Sequence, residues 1–136
     1  MKAEVYMVKG LSFMGKADSN HWIPMDGPSE FGGVEAGSRP MELLLIGLAG
    51  CTGMDAVSIL AKKRQPLREF RVEVEATRAP EHPKVFTEIK ISYYFRGDGL
   101  TDEDVVRAIE LSQDKYCSAS AMFSRSAKIS YEYTIE

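Results

Sequence analysis

Apolar and polar positions alternate strictly in three stretches of the chain's second half. Phe70, Val72, Val74 and Ala76 interleave with Arg71, Glu73, Glu75 and Thr77; Ile89, Ile91, Tyr93 and Phe95 interleave with Lys90, Ser92 and Tyr94. Near the end, Ile129, Tyr131, Tyr133 and Ile135 interleave with Ser130, Glu132 and Thr134. A period of two predicts strands with one covered face. Earlier, Lys2 to Asp26 holds short apolar clusters broken by Gly10 and Gly15, which predicts two or three short strands in a meander. Gly27 to Ser38, rich in Gly, Pro and Ser, reads as a loop.

The pattern then changes to helical. Pro40 is tolerated in a first turn and Glu42 suits the positive helix end. Lys62, Lys63 and Arg64 crowd a last turn, and Pro66 forbids continuation. The predicted helix runs from about Met41 to Lys63. From Leu43 to Cys51 it is apolar all round, which calls for burial in a core or an interface. A second helix begins after Gly97-Asp98-Gly99, with Thr101 as N-cap and Asp102, Glu103 and Asp104 in the first turn. Val105, Ile109, Ser112 and Tyr116 recur on one helical face, and Ser118 to Ser124 suggests a further short helix. The expectation is a single α+β domain over 1–136, antiparallel strands packed on a long apolar central helix.

Composition narrows the function classes. The 136 residues are 44% hydrophobic and 27% charged with a formal net charge of −3, ordinary for a globular domain able to bury a core. No basic block or aromatic-basic stripe points to nucleic acid. The N-terminus lacks the apolar run of a secretory signal, and Leu43 to Cys51 is short for a membrane span, so a cytoplasmic protein is expected. His21 and His82 lie far from each other and from both cysteines, and no zinc spacing is visible, so neither metal nor cofactor is expected.

Two cysteines carry the candidate chemistry. Cys51 stands mid-helix among Gly47, Gly50 and Gly53, three apart and therefore along one side. Each glycine costs about 1 kcal/mol of helix stability relative to alanine. Close approach of another backbone, such as a second copy of this helix, would compensate; loose packing on the sheet is the other reading. A cysteine on an apolar helix is commonly just a small buried hydrophobe. A chemical role needs an adjacent base or cation. The helix N-terminus is too distant to help, and Asp55 opposes a thiolate, so the cation must come from elsewhere in the fold. Cys117 closes Lys115-Tyr116-Cys117-Ser118; pairing with Cys51 would need Cα atoms within about 7 Å.

The run Arg39-Pro40-Met41-Glu42-Leu43-Leu44-Leu45-Ile46-Gly47-Leu48-Ala49-Gly50-Cys51 resembles the central helix of the OsmC/Ohr family of osmotically inducible and organic hydroperoxide resistance proteins. Asp55-Ala56-Val57-Ser58-Ile59-Leu60 and Leu111-Ser112-Gln113-Asp114-Lys115-Tyr116-Cys117-Ser118 are similar to its YhfA-like branch. The resemblance spans nearly the whole chain. It implies an interlocked homodimer with two active sites at the interface. It implies that Cys51 attacks a hydroperoxide and becomes a sulfenic acid. Cys117 then closes a disulfide, and a dithiol reductant, lipoyl-linked in related proteins, restores both thiols. The implied chemistry uses no metal, haem or flavin.

Two departures stand out. The hydroperoxide-resistance branch carries Glu directly after the helix-entry Pro, where this chain has Met41; Glu42 comes one residue later, turned by about 100°. The branch also places an Arg in an early loop; here no Arg precedes Arg39, and Lys16 is the nearest basic candidate. Glu42 and Arg39 lie about 13 and 18 Å from Cys51 at helical rise, beyond contact within one chain. If either serves the thiol, an antiparallel helix of a partner subunit delivers it. Two rival functions remain: a dimeric domain binding a small apolar ligand, with Met54, Tyr116, Met122 and Phe123 near its thiols, and a general thiol–disulfide exchanger.

Overall fold

The computed structural model describes residues 1–136, which group into two compact units, Met1–Leu45 and Ile46–Glu136. In the first unit, β1 (Ala3–Lys9), β2 (Ser12–Ala17) and β3 (Ile23–Met25) form the expected antiparallel meander in that order. Gly10, at φ +57°, makes the turn between β1 and β2. The predicted loop follows and contains one 3₁₀ turn, Ser29–Phe31. The buried Asp26 organises it, accepting the Ser12 hydroxyl at 2.5 Å and the backbone N–H groups of Gly27 at 2.7 Å and Ala36 at 3.2 Å. Those donors, Ser12 first, hold its carboxyl below the usual carboxylate range against the opposing cost of desolvation.

Helix α1 runs Pro40–Lys62, within one residue of the predicted ends. Glu42 accepts the Arg39 backbone N–H at 3.0 Å, one half of a capping box. At the other end Arg64 takes φ +55°, Arg64 N–H reaches the Ala61 carbonyl, and Gln65 N–H reaches that of Leu60. That pair of bonds is a Schellman stop, completed by Pro66.

In the second unit, β4 (Glu69–Arg78), β5 (Phe86–Arg96) and β6 (Lys128–Ile135) form a sheet in that order. The alternation is realised: Ile89, Ile91, Tyr93 and Phe95 are buried and Lys90 is exposed. The pairing direction corrects one expectation. β4 and β5 are antiparallel, but β6 runs parallel to β5, with Ile91 opposite Tyr131. Period-two patterning fixes a face, not a direction. The segment between β5 and β6 holds α2 (Asp102–Leu111), a π-helical turn (Ser112–Tyr116) and α3 (Ser118–Phe123), long enough for the crossover that parallel strands require. Thr101 has the extended backbone of an N-cap but makes no side-chain capping bond. Its N–H instead meets Gln65 Oε1 at 3.0 Å, while Lys63 and Gln65 hold Asp104 at 2.7 and 2.6 Å, tying the end of α1 to the start of α2.

Within the second unit α1 buries Leu48, Thr52, Gly53, Ala56 and Leu60, a stripe at helical spacing. Gly53 lies under β4: an added Cβ would meet the Phe70 ring at 3.1 Å and Val72 at 3.4 Å. Sheet packing therefore accounts for Gly53. Gly47 and Gly50 have no such neighbour, since a Cβ on either would meet nothing within 4 Å. The same open side carries Ile46, 60% exposed, and Met54, 75% exposed. The all-round burial expected of this helix is thus not met within the chain. By length and composition alone α1, with a mean hydropathy of 1.9 over 18 residues, passes as a membrane span, as a soluble protein's core helix also does.

A close backbone approach supplies a test. The Gly97 turn passes so near Pro66 that a Cβ would stand 1.9 Å from the Pro66 carbonyl oxygen. Gly97→Ala is expected to destabilise the protein by about 2 kcal/mol or more in urea melts, as overpacking does, whereas the exposed Glu81→Ala should not.

Candidate functional site

α1 presents Cys51 half-buried, one residue before the buried Thr52 and one turn before Asp55. The second sulfur arrives from the other end of the unit. Helical spacing predicts Tyr116 inward, yet Tyr116 is 51% exposed and Cys117 is 3% exposed. The π turn explains the correction. Its wider loop, closed by Cys117 N–H to the Ser112 carbonyl at 2.8 Å, shifts the face presented after Leu111. The chain then extends at Cys117, whose Sγ accepts the Ser120 backbone N–H at 3.3 Å. The Cys51 Sγ, the Cys117 Sγ and a carboxylate oxygen of Asp55 all lie within 4.8 Å of one another.

Beneath the sulfurs runs a buried polar network. Thr52 Oγ1 lies 2.5 Å from the Tyr93 hydroxyl and 2.9 Å from Ser112 Oγ. Gln113 Nε2 donates to Thr52 Oγ1 at 3.0 Å and to Tyr93 at 2.7 Å, and Ser112 Oγ donates to Asp55 Oδ2 at 3.0 Å. Donor counting fixes the orientation of each hydroxyl. An ionised carboxylate only accepts, so the single Ser112 proton points at Asp55. The Thr52 proton must then point at Ser112, and the Tyr93 proton at Thr52. Gln113, with two N–H groups, feeds both. The chain of donors runs from Gln113 through Tyr93, Thr52 and Ser112 to Asp55, with each hydroxyl satisfied.

Burial sets the character of the second thiol. Burial pushes the Cys117 thiol up, with the Cys51 sulfur adding to the rise and Ser120 donors opposing it. Burial likewise raises Tyr93, against its bonds to Thr52 and Gln113, which keeps the phenol neutral. The buried Ser120 hydroxyl lies beside Cys117 and, with the Ser120 N–H, opposes the rise of its thiol.

The remaining predicted residues belong to the first unit. Lys16 pairs with Glu4 at 3.4 Å, Arg39 with Glu35 at 3.2 Å, and Glu42 caps the start of α1. Of the aromatic and Met candidates near the thiols, Met54, Tyr116 and Met122 are exposed. The sequence pattern alone does not single out Thr52, includes Gln113 only within the segment resembling the YhfA-like branch, and places Tyr93 and Ser112 as core positions. A signal was there: Thr52 is a hydroxyl directly after the cysteine in an otherwise apolar run, and Ser112-Gln113 opens the segment that ends in Cys117.

Thr52→Val keeps the shape of the side chain but leaves three polar partners, two of them buried, short of a bond. It is expected to destabilise the protein by about 1–3 kcal/mol in denaturant melts, against no measurable loss for the exposed Ser58→Ala.

The sequence pattern of the family described as OsmC-like protein matches residues 32–132. The protein YhfA of Escherichia coli strain K12 is 40% identical over 135 residues, covering 99% of this chain and 98% of its own. A solved structure from Aquifex aeolicus is 34% identical with a TM-score of 0.83, covering 99% of this chain and 96% of that one. An organic hydroperoxide resistance protein from Legionella pneumophila shares the fold alone, at 14% identity and a TM-score of 0.70 over 98% of this chain and 95% of that one. Matching pattern, full-length relatives and a shared fold agree: the chain belongs to the OsmC family.

Proposed function

We propose that this protein is a thiol-dependent peroxidase reducing organic hydroperoxides, with Cys51 as the attacking sulfur and Cys117 as the resolving one. The observation that carries this reading is the approach of the two sulfurs to within 4.8 Å. A disulfide of about 2.0 Å then needs a closing movement of under about 3 Å, within reach of rotation at the two side chains. Exposure supports the division of labour. The half-buried Cys51 can meet a substrate, whereas Cys117 is almost fully covered.

The proposed cycle balances. The Cys51 thiolate attacks the distal oxygen of ROOH; the O–O bond breaks, the sulfur is oxidised to a sulfenic acid, and the alkoxide leaves as ROH after taking a proton. Cys117 then displaces the sulfenic oxygen, which departs as water with the thiol proton, and the disulfide forms. An external dithiol, lipoyl-linked by family resemblance, reduces it by exchange. We place this cycle in the cytoplasm, with no cofactor needed for turnover.

The open side of α1 supports a homodimer. Ile46, Gly50, Met54, Val57, Phe70 and Val72 line an apolar groove of about 700 Å³. A second copy of the same helix is the occupant proposed for it, Gly47 and Gly50 allowing the close approach. Arg39, Glu42 and Lys16 are proposed as supporting charges delivered by that second copy. Sedimentation should give a dimer, and Gly50→Leu should weaken it at least tenfold. A monomer that keeps full peroxidase activity would contradict the assignment.

The cysteine roles have a direct test. One equivalent of cumene hydroperoxide should link Cys51 to Cys117 by mass spectrometry, while Cys117→Ser should stop at a sulfenic acid trapped by dimedone. Slow oxidation without an intramolecular disulfide would favour the ligand-binding reading, and equal reactivity with simple disulfides the exchanger.

A further inference from the structure

Asp55 is the group at this site that the peroxidase reading does not use, and it sits awkwardly there. Its carboxylate oxygen and the two sulfurs lie within 4.8 Å of one another, three donor atoms within reach of a single ion. No Lys or Arg of the second unit pairs with Asp55. Two sulfurs and a carboxylate so grouped suit a thiophilic divalent cation.

The donor set and its spacing have the form of a metal site. Cys51 and Asp55 stand at i and i+4 of α1, the helical spacing that aims two ligands from one face. Cys117 supplies the third from a different element. Zinc bound tetrahedrally at about 2.3 Å from each of two sulfurs separates them by about 3.8 Å. The pair as it stands needs to close by no more than about 1 Å to reach that value.

The surrounding bonds also suit ligation. Ser112 donates to one oxygen of Asp55, steadying the carboxylate as outer partners of metal ligands do. The Ser120 backbone N–H donates to the Cys117 sulfur, and the buried Ser120 hydroxyl stands beside it, two donors suited to a thiolate.

We infer that the reduced protein binds one thiophilic divalent cation of the zinc class through Cys51 Sγ, Cys117 Sγ and Asp55, with a fourth position left to solvent. Binding balances as one M²⁺ taken up and two thiol protons released, giving a site of net charge −1. The disulfide form, lacking both thiolates, cannot bind. The metal and a hydroperoxide would therefore compete for the same reduced sulfurs, and the metal would guard the resting pair. The site was invisible to a search for ligand spacing along the chain, because Cys117 joins only through the fold.

Cobalt tests this without any hydroperoxide, so its outcome is separate from that of the peroxidase reading. Anaerobic titration of the reduced full chain with Co²⁺ should give one metal per chain, a sulfur-to-cobalt charge-transfer band and visible bands of tetrahedral cobalt. Stoichiometric Zn²⁺ should abolish both. Cys117→Ser should reduce the charge-transfer band by about half, and Asp55→Asn should weaken binding tenfold or more. Oxidised wild-type protein, which needs no substitution, should show none of these bands. Absence of the charge-transfer band, equal binding by oxidised protein, or unchanged affinity in Asp55→Asn would overturn the assignment.

Discussion

The contact between Thr52 Oγ1 and the Tyr93 hydroxyl, 2.5 Å and fully buried, is the constraint on which the site depends. It joins the middle of α1 to the middle of β5. Ser112 and Gln113 join the same oxygen to the π turn that leads to Cys117. A polar atom buried in an apolar unit costs free energy unless it is paired, so helix, strand and turn are each held in the one arrangement that pairs them. A rotation of α1 by one residue, about 100°, would break every bond that Thr52 and Asp55 make in the network. The two cysteines are placed by these neighbours. Cys51 precedes the residue that α1 buries deepest at this point, and Cys117 follows the turn that Ser112 begins.

This arrangement sets two thiols of unlike character side by side. One is half-open on the helix, and the other is covered and kept protonated by its burial. Unlike thiols suit the proposed two-step redox cycle, in which an accessible sulfur meets the oxidant and a covered one follows. The carboxylate of Asp55 adds a charge that a thiolate alone does not welcome. In the two proposals the same cysteines form a disulfide when oxidised and, with Asp55, a cation site when reduced. Both readings rest on the hydrogen bonds that hold Ser112 and Asp55 in line.

Much of the framework was legible in the sequence because local rules governed it. Alternation marked β4, β5 and β6, and Pro66 with its basic neighbours marked the end of α1. The direction of β6 was not legible, since side-chain alternation is identical in parallel and antiparallel strands. The inward turn of Cys117 was hidden by the π turn, which breaks the 3.6-residue period that placed Tyr116 on the buried face. The open side of α1 was hidden for another reason. An all-apolar helix does not say which of its faces finds a partner within its own chain and which stays uncovered. The network around Thr52 joins residues far apart in the sequence, so no local pattern announces it.

The claim beneath all of this is that the fold holds Cys51 and Cys117 within bonding reach before any substrate arrives. Equilibration of the reduced protein in graded glutathione buffers, read by intact-protein mass, measures that directly as an effective concentration of one thiol for the other. A single transition from dithiol to a species lighter by two hydrogens, with no glutathione adduct accumulating, is the predicted result. Stable glutathione adducts on Cys51 with Cys117 still reduced would contradict it.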